Sequence, residues 1–468
     1  MNIKDLPEGW IEGKLGELIR VSSGVGFPKK FQGKSTGDYP VYKVSDVSKA
    51  VTTNTGYLDT AGHYVDREEA VELKGEVFPI GTTLFAKIGE AVKLNRRAFV
   101  LKPGLADNNV MAALPDIKES NRFIYSFMRT VDLSDISRST TVPSVRKGDI
   151  EEIVLSIPPL AEQKAIADKL DTLLTQVETT KARLERIPKI LKTFLQSVLA
   201  AAVSGKLTEE WRGNPDLISW ESVKLDQIVE KIEAGKNLKC IEIPPQNNEF
   251  GIIKISAVTW GRYDENQSKT LPNSTNFIES RRIAVGDFLI SRANTIELLG
   301  NPVIVHEVTK NLMLSDKVLR LVMKEEDKPW VSIFLRSKRG RVEIESRSTG
   351  NQMSMRNIGQ KALLDIDLTK PPAKEQTEII RRVEELFAFA DSVEQKANAA
   401  LERVNNLTQS ILAKAFRGEL TANWRAANPE LITGENSAEA LLERIKAERE
   451  ARSNKKPAVR KTRARKEA

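Results

Sequence analysis

Basic and amide side chains recur in the loops of two separate stretches of this chain, and these residue types suit contacts with nucleic acid. Lysine and arginine bind phosphate oxygens, arginine also pairs with guanine, and asparagine or glutamine pairs with adenine. The candidates are Lys29, Lys30, Lys87, Lys93, Arg96, Arg97, Arg138, Arg146 and Lys147 in the first stretch, and Lys236, Lys239, Arg292, Asn294, Arg347, Asn351, Gln352 and Arg356 in the second. Because a single such residue is more often solvated surface, the hypothesis depends on their recurrence in corresponding loops.

No catalytic constellation accompanies these residues in the sequence. The stretch GVGFPKKFQGKST at 24–36 ends like a phosphate-binding loop, but Pro28 stands where the first glycine is required. An adenine methyltransferase would need an Asn/Asp-Pro-Pro-aromatic tetrapeptide and a glycine-rich cofactor loop, and neither occurs. Asp66, Glu72 and Lys74 faintly resemble a metal-dependent nuclease triad, although DREEAVELKGE is more typical of a solvated helix face.

Composition narrows the possible classes further. The single Cys240 excludes an internal disulfide, and His63 and His306 are too few for a Cys/His zinc cluster, so we expect no metal and packing or surface roles for these side chains. The 468 residues exceed one hydrophobic core and carry a net charge of +8, which favours an anionic partner without requiring one. No apolar run approaches the ~20 residues of a membrane span, and MNIKDLPEGW does not resemble a signal peptide, so we expect a cytoplasmic protein.

The chain contains a long internal repeat, whose clearest sign is GKLTEEWR at 205–212 returning as GELTANWR at 418–425. An offset of 213 aligns residues 158–212 with 371–425 without a gap, and 16 of 55 positions are identical. The two copies open with PPLAEQ and PPAKEQ. A match of this length indicates duplication rather than chance.

Each copy of the repeat carries apolar residues at a spacing of three and four, which predicts one long helix with a narrow seam. The predicted seam residues are Ile166, Leu170, Leu173, Val177, Leu184, Ile187, Leu191, Phe194 and Val198 in the first helix, and Ile379, Val383, Leu386, Ala390, Val393, Ala397, Ala400, Val404, Leu407 and Ile411 in the second. Because such a stripe must be buried, we predict that the two helices form an antiparallel coiled coil, each roughly 65 Å long at 1.5 Å per residue.

The ends of these helices are marked by residue type. A Pro-Pro pair suits each start, and Gly205 and Gly418 suit the two stops. Pro188 lies inside the first helix, where it removes a hydrogen bond and costs about 3 kcal/mol, so the sequence leaves open a kink near Leu184 or a break into two helices. Trp211 and Trp424 are expected to anchor the helix exits, by packing or against a partner.

The stretches outside the helices read as globular domains of mixed α/β structure. Residues 1–157 and 213–370 have short apolar runs separated by glycine and proline. GWIEGKLGELI at 9–19 echoes SWESVKLDQIV at 219–229, so the duplication extends into these domains. The fold class is therefore α+β, with two mixed α/β domains separated by two long helices and related by a pseudo-two-fold repeat. Residues 426–468 read as a short helix at 437–451 and a basic, disordered tail.

At this point the sequence resembles the specificity subunits of type I restriction and modification enzymes, particularly their A subclass. The resemblance is carried by PPLAEQKAIADKLDTLLTQVETTKARLERIPKIL at 158–191, GDFLISRANT at 286–295 and QSILAKAFRGELTANWR at 409–425. It implies that residues 1–157 and 213–370 are target recognition domains. Residues 158–212 and 371–425 would then be the central and C-terminal conserved helical spacer regions.

The resemblance further implies a non-catalytic subunit that reads a bipartite, asymmetric sequence in double-stranded DNA. Its implied partners are two modification subunits, which methylate adenine with S-adenosylmethionine, and two ATP-dependent restriction subunits that require Mg²⁺. None of these cofactors would be bound by this chain. Two other readings stay open from the residues alone: a self-sufficient DNA-modifying enzyme, and a coiled-coil scaffold that binds no DNA.

Overall fold

A computed structural model of the chain describes residues 6–137, 142–213, 220–352 and 355–454. The chain divides into two compact units, of which the first combines two separate segments and the second is continuous. The first unit is formed by Met1–Arg183 with Ala400–Ala468, and the second is Leu184–Ala399. Each unit therefore holds one globular segment and one half of each long helix.

Along the chain, the described residues up to 213 form short strands with short helices between them, then one long helix and a final short one. The strands are β1 (Ile11–Lys14), β2 (Ile19–Ser23), β3 (Tyr39–Tyr42), β4 (Tyr57–Leu58), β5 (Tyr64–Val65), β6 (Thr83–Ala86), β7 (Arg97–Val100), β8 (Leu105–Ala106), β9 (Val110–Pro115) and β10 (Val154–Ile157). The helices are α1 (Leu15–Leu18), α2 (Val44–Thr53), α3 (Arg67–Leu73), α4 (Asn121–Met128), α5 (Lys147–Glu151), α6 (Leu160–Val203) and α7 (Glu209–Arg212).

The described residues from 220 onward form a second set of strands and helices. The strands are β11 (Glu221–Lys224), β12 (Val229–Ala234), β13 (Phe250–Ile253), β14 (Ser268–Thr270), β15 (Phe288–Ser291), β16 (Ala293–Asn294), β17 (Pro302–Ile304), β18 (Asn311–Met313), β19 (Val318–Met323), β20 (Thr349–Gln352), β21 (Met355–Asn357) and β22 (Asp367–Lys370). The helices are α8 (Lys328–Arg336), α9 (Lys338–Arg347), α10 (Gln360–Leu364), α11 (Ala373–Phe416), α12 (Ala422–Ala427) and α13 (Ala438–Asn454).

The sheets of the two globular segments have the same topology. The order β2-β9-β6-β7 in the first returns as β12-β19-β15-β17 in the second, and β5-β3-β8 returns as β14-β13-β18. In both copies the last pair, β3 with β8 and β13 with β18, is parallel. They differ where β4 extends the first sheet and where β16, β21 and β20 form an additional sheet in the second. The duplication predicted from the helices therefore extends through both globular segments.

A closing strand pair holds the two ends of each globular segment together. β1 pairs antiparallel with β10 from Ile11 opposite Ile157, and β11 pairs antiparallel with β22 from Glu221 opposite Lys370. The two ends of each globular segment therefore lie side by side, next to the start of the long helix that follows.

The two long helices run antiparallel, as predicted, within each unit. In the first unit Ile166 and Leu170 of α6 share a core with Leu412 and Ala415 of α11. In the second unit Val198 to Val203 of α6 share a core with Ile379 and Val383. Both helices have 44 residues and end before a left-handed glycine, Gly205 at φ +75° and Gly418 at φ +72°.

The structure changes details of the predicted seam. Leu407 is 45% exposed and is not a buried seam residue, whereas Leu412 and Ala415 are buried. The physical reason is that an α-helix turns once per 3.6 residues, so a strict 3.5-residue seam drifts around the helix. In α6, Leu174 is more buried than the predicted Leu173 for the same reason. Pro188 lies within one uninterrupted helix, so the alternative of two helices is wrong.

The segment after α11 is part of the first unit. α13 confirms the short helix predicted at 437–451, and its Ala438, Leu441 and Ile445 are buried in the first unit's core. Arg449 Nη2 donates to the Ile19 carbonyl (2.9 Å) and to Asp116 Oδ2 (2.5 Å). The rest of the predicted tail, residues 455–468, lies outside the described residues.

Among the described helices, no single one has the length and apolar content to cross a membrane. Only Leu160–Val203 and Lys206–Arg212 taken together, with a bend of 80° between them, meet that criterion by length and composition.

A buried glutamate at the start of each long helix explains the repeated phrase. In the first unit Glu162 accepts hydrogen bonds from Trp10 Nε1 (2.8 Å) and Thr421 Oγ1 (2.6 Å), and Arg425 forms an ion pair with it. Arg425 also donates to the Gly418 carbonyl at 3.0 Å, which satisfies the end of α11.

The second unit repeats this arrangement with equivalent residues. Glu375 accepts from Thr208 Oγ1 (2.8 Å) and Trp220 Nε1 (2.9 Å), and Arg212 Nε lies 3.5 Å from Glu375 Oε1. We call each set a glutamate latch: Glu162, Thr421, Arg425 and Trp10 in the first unit, and Glu375, Thr208, Arg212 and Trp220 in the second. The latch uses the threonine and arginine of the phrase, whereas its tryptophan Trp211 is 46% exposed and is not part of the latch.

The latch leads to a stability prediction. Glu162→Ala leaves Arg425 buried without its counter-charge, so it should lower the free energy of unfolding by about 3–5 kcal/mol, whereas Glu162→Gln, which keeps one acceptor oxygen for Thr421 and Arg425, should lose less. Glu185→Ala, at an exposed position of the same helix, should change stability by less than about 0.5 kcal/mol. Urea unfolding followed by circular dichroism measures all three. Equal losses for Glu162→Ala and Glu185→Ala would contradict the latch.

Candidate nucleic-acid interface

Three loops meet where β6 ends in the first unit. The Lys87 amide donates to the Asn109 carbonyl at 2.8 Å, and the Val145 amide donates to the Lys87 carbonyl at 3.0 Å. Lys87 is therefore held between the β8–β9 turn and the segment that leads to Arg146 and Lys147, both of which are exposed. We call Lys87, Arg146 and Lys147 the first basic edge.

The second unit builds the equivalent edge with other side chains. The Arg292 amide donates to the Lys317 carbonyl, and the Ile358 amide donates to the Arg292 carbonyl, both at 3.0 Å. Arg292 thus occupies the position of Lys87, and Lys317 that of Asn109. Lys236 joins this group because it forms a β-bridge with Ser315. We call Lys236, Arg292 and Lys317 the second basic edge.

A cavity of about 480 Å³ opens beside the second basic edge. Lys236, Lys254 and Lys317 contribute to its walls, together with Asn237 and Ser256. Lys239 is exposed on the same loop. Ammonium groups beside amide and hydroxyl groups provide both phosphate binding and hydrogen bonds to base edges.

The loops approach closely because glycine stands at the end of β2 and of β12. A Cβ on Gly24 would lie 2.0 Å from the Asp107 carbonyl oxygen, and one on Gly235 would lie 1.7 Å from the Leu314 carbonyl oxygen. Any side chain there would push the loop after the strand away from the β8–β9 or β18–β19 turn. These two glycines therefore fix the spacing of loops within each edge.

Several first-unit candidates lie elsewhere or have internal partners. Lys30 pairs with Glu72 of α3 at 2.5 Å, and its neighbour Lys29 is exposed on the same turn. Lys93 pairs with Glu90 at 2.9 Å. Arg96 is half-buried in a different cleft. Arg138 lies outside the described residues.

Arg97 does not fit a direct DNA contact. It is 3% exposed, and its Nη2 donates to the Val131 carbonyl at 2.6 Å. Burial lowers the pKa of its guanidinium to about 10. The sequence could not distinguish it from Arg96, because only the strand β7 decides which of the two side chains points inward.

In the second unit Arg347 and Arg356 stabilise the protein itself. Arg347 forms an ion pair with Glu343 at 2.6 Å and another with Asp367 at 3.3 Å. Arg356 Nη2 donates to the Ser348 carbonyl at 2.8 Å, which secures the turn before β20.

The remaining amide candidates of the second unit lie near its edge. Asn294 is opposite Arg356 in the β16–β21 pair, and its Nδ2 donates to Thr259 Oγ1 at 3.2 Å. Asn351 and Gln352 belong to β20, and their side chains are not among those described.

Sequence reasoning missed Lys317 and Lys254. The sequence did contain a signal for Lys317. Both LSDKV at 314–318 and ADNNV at 106–110 contain an Asp beside other polar residues immediately before a buried strand. Lys254 follows β13 directly and carries no comparable signal.

The structure also shows the environment of the apparent phosphate loop and of the nuclease-like residues. Lys34 of the apparent phosphate loop pairs with Asp66 (2.7 Å) and Glu69 (2.8 Å), and a short 3-10 turn rather than a phosphate-binding helix occupies this loop. Asp66 is the N-cap of α3, so the nuclease-like residues are a helix face as expected. No group of three or more His, Cys, Asp or Glu side chains among the described residues is arranged to hold a metal ion.

The isolated thiol and imidazoles have packing or surface positions. Cys240 is half-buried, and burial raises the pKa of its thiol, which makes it less reactive. His63 Nδ1 accepts from the Gly33 amide at 3.0 Å, and His306 is exposed.

Comparisons with known proteins point to one family. Residues 7–189 match the family described as the type I restriction modification DNA specificity domain. The chain is 35% identical to the type I restriction enzyme EcoKI specificity subunit of Escherichia coli K12, over 99% of this chain and 100% of that protein. It is 34% identical to the EcoDI specificity subunit of Escherichia coli, over 99% and 100% of the two chains.

Solved structures share the fold at low sequence identity. A chain from a type I R-M system matches with a TM-score of 0.64 and 18% identity, covering 88% of this chain and 99% of that one. The HsdS subunit from Thermoanaerobacter tengcongensis matches with a TM-score of 0.56 and 18% identity, covering 88% and 98%.

The two basic edges lead to a prediction about DNA binding. Lys87→Ala and Arg292→Ala should each weaken DNA binding by the protein in its assembled complex, and each should reduce the slope of log affinity against log salt by about 1 if the contact is to a phosphate. The controls are Lys118→Ala and Lys338→Ala, which remove exposed lysines away from both edges. Fluorescence anisotropy across a salt series measures the effect. Unchanged affinity and slope for both edge variants would exclude the edges as contacts.

Proposed function

The chain belongs to the family of type I restriction enzyme specificity subunits, and we propose that it reads a bipartite, asymmetric DNA sequence with one recognition domain for each half. Residues 1–157 and 213–370 are the proposed target recognition domains. Residues 158–212 and 371–425 are the proposed helical spacer regions, and residues 426–468 are a C-terminal extension. The relatives named above are specificity subunits, which are non-catalytic, so this chain supplies recognition to a complex rather than a reaction.

The observation that carries this proposal is the duplicated sheet with different side chains at equivalent loop positions. Lys87 and Arg292 have matching backbone contacts, as do Asn109 and Lys317, yet the side chains differ in hydrogen-bonding pattern. An amide and an ammonium group at one position favour different base edges. Two copies of one scaffold can therefore read two different half-sites. The predicted contact residues other than the buried Arg97 remain part of this proposal, and Arg347 and Arg356, which bind internal partners, support it least.

The antiparallel helices are proposed to set the spacer between the half-sites. If both domains contact the major groove from one face of the duplex, their half-sites lie about one helical turn apart, on the order of 10 base pairs centre to centre. The latches support this role, because each buried carboxylate binds a recognition segment to the end of a helix.

The proposed partners are two modification subunits and two restriction subunits. A duplicated scaffold offers equivalent surfaces, which is the condition for two copies of one partner to bind a single chain. S-adenosylmethionine, ATP and Mg²⁺ are proposed to act through those partners, and the cytoplasm is the proposed location.

Exchange of one recognition domain tests the bipartite assignment. Replacing Ile11–Ile157 with the equivalent segment of a relative keeps the closing strand pair, so it should change one half of the methylated sequence and leave the other half and the spacer unchanged. The reciprocal exchange of Glu221–Lys370 should change only the other half. Sequencing of methylated adenines in host DNA reads the outcome. A simultaneous change in both halves would refute the division of labour, and methyl transfer by the purified chain alone would refute its non-catalytic role.

A further inference from the structure

Each unit contains a cleft between one of the long helices and the globular segment. In the first unit the cleft has a volume of about 640 Å³, and Asp171, Leu174, Thr175 and Glu178 of α6 form one wall. The opposite wall contains Arg129, which follows α4, and the residues that precede β7.

The cleft of the second unit is its counterpart in the repeat. Its volume is about 760 Å³, and Glu384, Phe387, Ala388 and Asp391 of α11 line it. These four positions are those of the first cleft after addition of the 213-residue offset. Arg336 at the end of α8 takes the place of Arg129, since the helices end in the matching sequences FMR and FLR.

The two equivalent arginines share an unusual environment. The Arg129 guanidinium lies over the Tyr125 ring at 5.7 Å, and the Arg336 guanidinium lies over the Phe387 ring at 5.2 Å. Neither has a carboxylate or carbonyl acceptor at hydrogen-bond distance among the described residues. Burial, with a smaller contribution from the neighbouring Arg262, lowers the pKa of Arg336. A desolvated guanidinium without an acceptor favours an incoming anion.

The first cleft contains a second indication of an anionic ligand. Arg97 lines it at 3% exposure, and its Nε and Nη1 are buried without a hydrogen-bond partner. Arg96 lines the same cleft. In the second cleft the buried hydroxyl of Tyr263 is likewise without a partner. Both clefts thus present donors that the chain itself does not satisfy.

Acidic side chains on the helix wall select among possible anions. Asp391 is paired with Arg262 at 2.5 Å, whereas Asp171 shares Arg122 with Asp168 and is only partly compensated. Glu178 and Glu384 also face the clefts. A nucleic-acid backbone, with a charge on every phosphate, would be repelled by this wall, whereas a peptide with one carboxylate directed at the arginine would not.

We propose that these two clefts are equivalent docking sites for the same segment of two copies of one protein partner, with Arg129 and Arg336 each binding a single carboxylate of that segment. The clefts have the size of sites that enclose a few side chains. The proposal rests on the proposed function, which supplies the modification subunit as the partner present in two copies.

The test counts the partner copies bound to full-length chains. The chain is mixed with the purified modification subunit of its own complex, and native mass spectrometry gives the stoichiometry. The original chain should bind two copies, and Arg129→Glu and Arg336→Glu should each bind one, with the lost site weakened roughly 30-fold or more. The double variant should bind none, while Arg129→Lys and Arg336→Lys, which keep the charge, should retain measurable binding at each site.

Matched controls and a measurement of folding distinguish the loss of a docking site from a general effect of charge or from unfolding. Arg67→Glu and Arg339→Glu reverse exposed arginines outside the clefts and should still bind two copies. Thermal unfolding should be unchanged in every variant that loses a copy. Two bound copies in the double variant would overturn this inference alone, as would loss of DNA affinity with both copies retained. Failure of the original chain to bind any modification subunit would overturn the proposed function as well.

Discussion

The structure depends on two buried carboxylates, Glu162 and Glu375. A carboxylate removed from water is costly unless charged and neutral donors surround it, and each of these is met by an arginine, a threonine and a tryptophan indole. The donors come from two separate parts of the chain: the start of a globular segment supplies the tryptophan, and the segment after the glycine stop of the other long helix supplies the threonine and the arginine. One ionised group therefore fixes the junction at which domain, helix start and helix exit meet.

The latch also explains how the helices can be long although few of their residues are buried. A two-helix seam buries little area per residue, and between Val177 and Val198 every residue of α6 is at least partly exposed. The buried residues of α6 lie towards its two ends, where they join the cores of the globular segments. In α11 the small residues Ala390 and Ala397 are buried near the middle as well, so the exposed middle is a property of α6.

The two copies of the duplicated segment share their backbone arrangement, whereas many of their side chains differ. The sheets, the closing strand pairs, the parallel bridges Val25–Asp107 and Lys236–Ser315 and the contacts of Lys87 and Arg292 correspond in the two copies, while the additional sheet of β16, β21 and β20 has no copy in the first within the described residues. A shared framework with divergent loops is the arrangement expected of a chain that reads two unlike half-sites. In the clefts beside the helices, by contrast, the side chains also correspond, since each cleft has one equivalent arginine and two equivalent acidic residues.

The sequence by itself determined the duplication, the two 44-residue helices, their glycine stops and the family, because those depend on periodicity, on the backbone freedom of glycine and on identities at a fixed offset. It did not reveal the latch, because Glu162 and Thr421 are 259 positions apart and only the antiparallel packing brings them together. It also predicted basic contact residues without separating Lys87 from the buried Arg97. That distinction depends on which face of a strand meets the core, and on which charges find partners across the fold, so only the tertiary structure could decide it.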